Sequence, residues 1–296
     1  MKTSSLKDLS SLGMSAIVLT TLLDMHLVSR VQAAPVSNKV IAAQRADLAE
    51  STLEAGFGPQ SPRNIDSIYG DNKIDFASAP NYLEMNLCNI HFHENAEHRG
   101  GEFTTYAGNG DGSGYGTGFK YNRPLSPGEL SSVEEIIGKG PHGDLKPGDT
   151  IEIHFVHSSA QVSPGPSLGS CMSEAIQNPQ LRVEALVAVL VNDKNAADLS
   201  EITEASFANG LYRALRIPDN LGVPVTYSGS TTGPSYNKKG SPFQVTWNVR
   251  PKVLKLNILS VPKWLKSNVY NEKYAHGVRN LVLNMRLLSH INDGVN

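Results

Sequence analysis

Apolar and polar residues alternate in short runs through most of this chain. Tyr82 to His93, Thr150 to His157, Leu181 to Val191, Phe243 to Val249 and Val253 to Leu259 stand out, bounded by Gly- and Pro-containing stretches. Several show a period of two, which predicts strands in a mainly β domain. Leu181 to Val191 (LRVEALVAVLV) is almost continuously apolar, as expected of a strand buried on both faces. Helical spacing is scarce. A polar, Ala-rich segment within 34–60 predicts a short helix leading into the fold, and Asp198 to Leu215 is the one candidate helix inside the domain. Gly108 to Gly118 (GNGDGSGYGTG) lacks both the acidic spacing of a calcium loop and a following GKS or GKT, so it is expected to be a flexible surface loop. The pattern predicts a mainly β (α+β) single domain on a twisted, largely antiparallel sheet with a few short peripheral helices.

The N-terminus has a different texture. Lys2 and Lys7 precede an apolar stretch, Leu12 to Leu23, too short to span a bilayer, and small residues follow around Ala33. This predicts a signal peptide over 1–33, an N-terminal extension over 34–54 and one domain over 55–296. The mature chain has no other long apolar run and no expected membrane span. Export to a periplasm or the cell exterior would also suit the two cysteines, Cys88 and Cys171. An even pair in an exported protein predicts a disulfide, here closing a long loop for a gain of roughly 4 kcal/mol; the alternative is two buried thiols. With 26 basic and 28 acidic side chains among 296 residues there is no basic bias, so nucleic acid is not an expected partner. Nothing in the pattern speaks to oligomeric state.

The chemistry is carried by histidines. In Asn89-Ile90-His91-Phe92-His93, the two rings lie two residues apart and so project from the same face of a strand. Neutral imidazoles at that spacing suit zinc and other borderline divalent ions. A catalytic zinc takes three protein ligands and leaves one position for water. The third ligand is expected from Ile151 to His157 (IEIHFVH), whose histidines, His154 and His157, must face opposite ways. Glu152 shares the face of His154 and could hold a ligand's ring N–H, which favours His154. Glu97 and His98 follow the first pair closely, while His142, His157, His276 and His290 are read as structural. Two families fit the histidines equally well at this point. In the cupin barrels, His91-x-His93-x-x-x-Glu97 matches the first motif, and Pro147-Gly148-Asp149 followed by His154 loosely matches the second. The other family is the carbonic anhydrases. A non-catalytic secreted metal-binding β domain is a further alternative.

Other segments resemble the α-type carbonic anhydrases. Gln60-Ser61-Pro62-Arg63-Asn64-Ile65 is similar to their QSP segment, Asn89 to His93 to their ligand strand, Glu97-His98 to the Glu-His that follows, and Glu152 to His157 to their third-ligand strand. Tyr227 to Pro234, followed by Val245-Thr246-Trp247, is similar to their Y-x-GSLTTPP…VTW block. The wording of these blocks is closest to the δ-class carbonic anhydrases. The resemblance implies an α-carbonic-anhydrase-like fold and a carbonate dehydratase that interconverts CO2 and bicarbonate through zinc-bound hydroxide. It implies His91, His93 and His154 as ligands of Zn2+, a site that Co2+ or Cd2+ could also occupy. Asn89 and Glu152 would support those ligands, and Arg279 would support the site from outside. Thr232, or Thr231 if the alignment takes a gap, would orient the hydroxide, with Glu97 accepting the threonine's hydrogen bond. No residue matches the α-type proton-shuttle histidine. An apolar wall for CO2 is expected from Val156, Val187 and Val189.

Overall fold

The computed structural model describes residues 34–55, 77–231, 233, 235–238, 240–241 and 243–290. The expected signal peptide, the Gln60–Ile65 segment and Thr232 lie outside the described residues.

The centre is a six-stranded sheet. It holds β1 (Asn86–Glu94), β6 (Thr150–Ser158), β7 (Leu181–Val191), β10 (Val225–Ser230), β11 (Gln244–Val249) and β12 (Leu254–Asn257). The order is β1-β6-β7-β11-β10, with β12 also on β7. The β1–β6, β6–β7 and β10–β11 ladders are antiparallel. The β7–β11 and β7–β12 ladders are parallel, so the sheet is mixed. β11 and β12 occupy successive halves of one β7 edge, at Leu181–Ala185 and Ala188–Val191. Pro251 lies between them, where a residue without an N–H cannot continue a ladder. β7 is therefore paired on both edges. Both its faces are also covered, which accounts for its near-continuous apolar sequence.

One face packs a Leu/Ile core: Ile90, Phe92, Ile151, Ile153, Leu186 and Leu190 meet Val261, Trp264 and Leu265 of helix α3 (Ser260–Ser267). The other face is lined by Val156, Val183, Ala185, Val245 and Trp247 and carries the polar site. Small hairpins surround the sheet: β2 (Thr105–Tyr106) with β3 (Phe119–Lys120), β4 (Ile137–Gly140) with β5 (Gly143–Leu145), and β8 (Ala205–Ala208) with β9 (Leu211–Ala214). The expected N-terminal helix is present as α1 (Asn38–Thr52).

Two expectations are corrected. The helix expected over Asp198 to Leu215 is a single turn, α2 (Leu199–Ile202), capped by Asp198, and then the β8–β9 hairpin. Asn209 and Gly210, with φ of 54° and 78°, form the two-residue turn; Asn-Gly is a strong hairpin signal that overrides the helical spacing of the leucines. The Gly108–Gly118 segment is not a loose surface loop. Gly110, Gly112, Gly114 and Gly118 are buried; Val36, just ahead of α1, donates its N–H to Gly110 O (2.9 Å), and Gln44 Nε2 of α1 donates to Gly112 O (3.0 Å). Gly114 pairs with Val278, and a Cβ there would lie 2.2 Å from the Val278 carbonyl oxygen. Glycine is required at that close approach.

Candidate metal centre

The site begins with register. Leu87 pairs with His157 and Asn89 with Val156, so Cys88 is the extra residue of a bulge in β1. Beyond the bulge, Asn89, His91 and His93 share the face opposite Ile90 and Phe92. His91 lies across from His154, and His93 across from Glu152. The ring nitrogens of His91, His93 and His154 lie within 4.8 Å of one another. His157 faces the other way, its Nδ1 3.1 Å from Phe155 O and its ring against Tyr82. Burial pushes its pKa down to about 4.

Each of the three rings has a polar neighbour behind it. His91 Nδ1 lies 2.6 Å from Asn89 Oδ1, and Asn89 Nδ2 donates to Gly165 O at 2.9 Å. His93 Nδ1 is 3.5 Å from Glu97 Oε1, and His154 Nε2 is 3.6 Å from Glu152 Oε2. Those two nitrogens are buried without a hydrogen bond, which is costly unless something else engages the rings. Glu152 accepts the Glu97 backbone N–H (2.7 Å) and meets His98 Nδ1 (3.0 Å), and His98 Nε2 reaches the Tyr227 hydroxyl (2.8 Å).

The charges of this layer suit a cation. Burial works against ionisation of Glu152, but His98 and His154 outweigh it and hold the carboxyl below the usual range. Burial, with Glu152 adding to it, raises the nearby Glu97. Burial lowers His154, yet Glu152 and Glu97 prevail and raise it: the pocket favours positive charge there, whether a proton or a metal ion. Burial and the neighbouring cationic groups keep His91 and His93 well below the usual histidine range, in the neutral form that can coordinate. The donor set therefore fits a divalent ion. A second grouping, His93, Glu97, Glu152 and His154, is equally close-set, but Glu152 already serves His98 and the Glu97 backbone.

A cavity of about 440 Å³ opens in front of the rings. Val156, Val183, Leu168 and Phe243 form its apolar side. Of the valines expected there, Val156 is present. Val187 and Val189 are not; Val187 lies further along β7, opposite Glu152. The Cys88–Cys171 disulfide is formed, with Cα atoms 5.0 Å apart. It ties the bulge to the segment carrying Gly165 and the cavity residues Ser167 to Gly169.

Thr231 lines the cavity, but its hydroxyl donates to Ser241 Oγ at 2.6 Å. Glu97 Oε1 accepts the backbone N–H of Arg279, and Oε2 has no partner among the described residues. Arg279 is thus tied to the site through its backbone, while its side chain lines the cavity. Glu272 and His276, 2.7 Å apart, line it too. His276, expected to be structural, faces the cavity instead. It reaches the site because its backbone pairs with Phe92 and Glu94, a contact across more than 180 residues with no local signal.

The open six-stranded sheet differs from a cupin barrel. Among the described residues, no helix is long and apolar enough to cross a membrane. No curated protein and no solved structure matches the chain. Residues 82–260 match the family described as delta carbonic anhydrase, a span that holds the three converging histidines, both cysteines and the Tyr227–Trp247 block. With over half its length matched, and a three-histidine cluster within the matched span, this chain belongs to the delta carbonic anhydrase family.

Proposed function

We infer that the protein is an exported zinc carbonic anhydrase that interconverts CO2 and bicarbonate, with His91, His93 and His154 holding the metal. The observation that carries this reading is the convergence of three imidazoles in front of buried carboxylates, beside a mostly apolar cavity. Zinc in such a set lowers the pKa of bound water from about 15.7 to roughly 7, which supplies the nucleophile at neutral pH.

The chain's own residues do the rest. Asn89 takes the Nδ1 proton of His91 and so presents Nε2. Glu152 steadies His154, and is itself fixed by His98 and the Glu97 N–H. Glu97 backs His93. Val156, Val183, Leu168 and Phe243 offer CO2 a surface free of hydrogen-bonding groups. With the Thr231 hydroxyl given to Ser241, the role of orienting the nucleophile falls in this reading to Thr232. Export agrees with the disulfide and with the apolar leader in the sequence. Co2+ or Cd2+ would be accepted by the same nitrogens.

Stopped-flow CO2 hydration on the zinc-loaded chain tests this reading. Zinc-dependent acceleration, abolished by chelation and restored by zinc, is expected. A fully zinc-loaded protein that leaves the rate at background would sink it.

A further inference from the structure

Besides the three histidines, the polar lining of the cavity holds Asn89, Ser167, Thr231 and Ser241 within the segment that matches the family, and three ionisable side chains outside it, Glu272, His276 and Arg279. Glu272 and His276 are paired with each other at 2.7 Å. Arg279 differs. Its guanidinium donates to the Gly277 carbonyl oxygen at 3.3 Å, and among the described residues no carboxylate lies within ion-pairing distance of it. A cation with five N–H donors thus faces the same cavity as the three histidines with a single hydrogen bond among the described residues. Its charge is felt there, for it contributes to lowering both His91 and His93.

The placement is held by main chain, not by the guanidinium. The Arg279 N–H donates to Glu97 Oε1, its carbonyl accepts the Asn237 N–H (3.1 Å), and Val278 pairs with Gly114. These bonds survive replacement of the side chain. A structural arginine usually earns its position through its head group; here the head group is the part left over.

We propose that Arg279 is the anion-binding residue of the cavity, contacting bicarbonate as it leaves in hydration or enters in dehydration, and able to take other small anions in its place. This rests on the carbonic anhydrase reading for the identity of the anion. CO2 carries no charge and meets the apolar side; bicarbonate carries one and can take two parallel N–H···O bonds from a guanidinium. Residue 279 therefore separates the two substrates of one reaction by charge.

The test uses the zinc-loaded full chain with Arg279→Gln and Arg279→Lys. Arg216→Gln, an exposed arginine paired with Glu204 away from the cavity, is the control. Zinc content is measured first. The bicarbonate KM in dehydration and the CO2 KM in hydration are then compared, and azide binding is followed separately by thermal shift. Losing a charge-assisted contact should raise the bicarbonate KM and the azide Kd by about 10- to 100-fold in Arg279→Gln. Arg279→Lys should recover part of the loss, while the CO2 KM stays within about twofold of wild type. Bicarbonate KM and azide affinity both unchanged in a zinc-replete Arg279→Gln would overturn the proposal, as would an equal rise in the CO2 KM. If Arg279→Gln folds poorly, Arg279→Lys decides, since a loss of bidentate geometry should still weaken azide measurably. Were wild type inactive, the carbonic anhydrase reading would fall. The azide arm would still judge Arg279: binding lost in Arg279→Gln supports an anion site, and binding kept refutes it.

Discussion

Replacing both Cys88 and Cys171 by serine tests how the site is stapled to the sheet. The bridge joins residues 83 apart and closes a loop that contains all of β6, including His154. In the chain-entropy account, opening a loop of this length costs about 4 to 5 kcal/mol, chiefly by freeing the unfolded chain. For a domain of this size that corresponds to a fall in Tm of roughly 10–15 °C. A local effect should accompany the global one. Cys88 sits at the β1 bulge, its carbonyl accepts the Gly165 N–H at 3.0 Å, and the Gly165 carbonyl accepts from Asn89, which orients His91. Freeing that segment should loosen Asn89 and weaken metal retention even where the variant is still folded. Calorimetry of the double variant, beside wild type with and without reductant, measures the first effect, and competition with a chelator below the melting range measures the second. A loss of stability under about 1 kcal/mol would refute the entropic argument. Unaltered zinc retention would refute the link through Asn89.

His157, fully buried on the far face, should make the fold acid-sensitive. Its folded pKa of about 4 lies below the ordinary 6.5, so between those values the unfolded chain binds more protons and stability falls as pH falls. The span corresponds to about 3 kcal/mol of stability, fully present above pH 6.5 and lost by pH 4. Denaturation of His157→Gln across the same range should show a shallower decline; an identical pH profile would remove His157 as the cause. Two glycines with positive φ should behave differently. Gly210→Ala meets nothing within 4 Å and should cost only the strain of its backbone, about 1 kcal/mol. Gly114→Ala collides with the Val278 carbonyl and should cost more than twice as much, disturbing the Arg279 and His276 segment as well. Equal melting shifts for the two would contradict the packing described here.

Some of this architecture was open to a reading of residues alone. A period of two identified the strands, and the same parity put His91 beside His93 and turned His154 away from His157. Parity is local, so it is written in neighbouring residues. Other features depend on distant segments. The parallel placement of β11 and β12 on one edge of β7 is set by tertiary packing. His276 and Arg279 enter the cavity because residues 276–282 run beside the end of β1, and the glycines of 108–118 are needed by a segment more than 150 residues away. The misread helix at Asp198–Leu215 is a different case. Leu199 and Ile202 lie three apart and Leu211 and Leu215 four apart, as on a helix, and the turn-forming Asn209-Gly210 pair between them should have outweighed that spacing.

The central claim is a metal held by three imidazoles, with the two carboxylates behind them. X-ray absorption at the edge of the bound metal, on wild type and on His154→Ala, tests it most directly. The account predicts one zinc coordinated by three imidazole nitrogens at roughly 2.0–2.1 Å with a single light-atom ligand completing the shell. It predicts loss of zinc in His154→Ala. A shell of two imidazoles and two carboxylates, as His93, His154, Glu97 and Glu152 could form, or full zinc retention in His154→Ala, would contradict it.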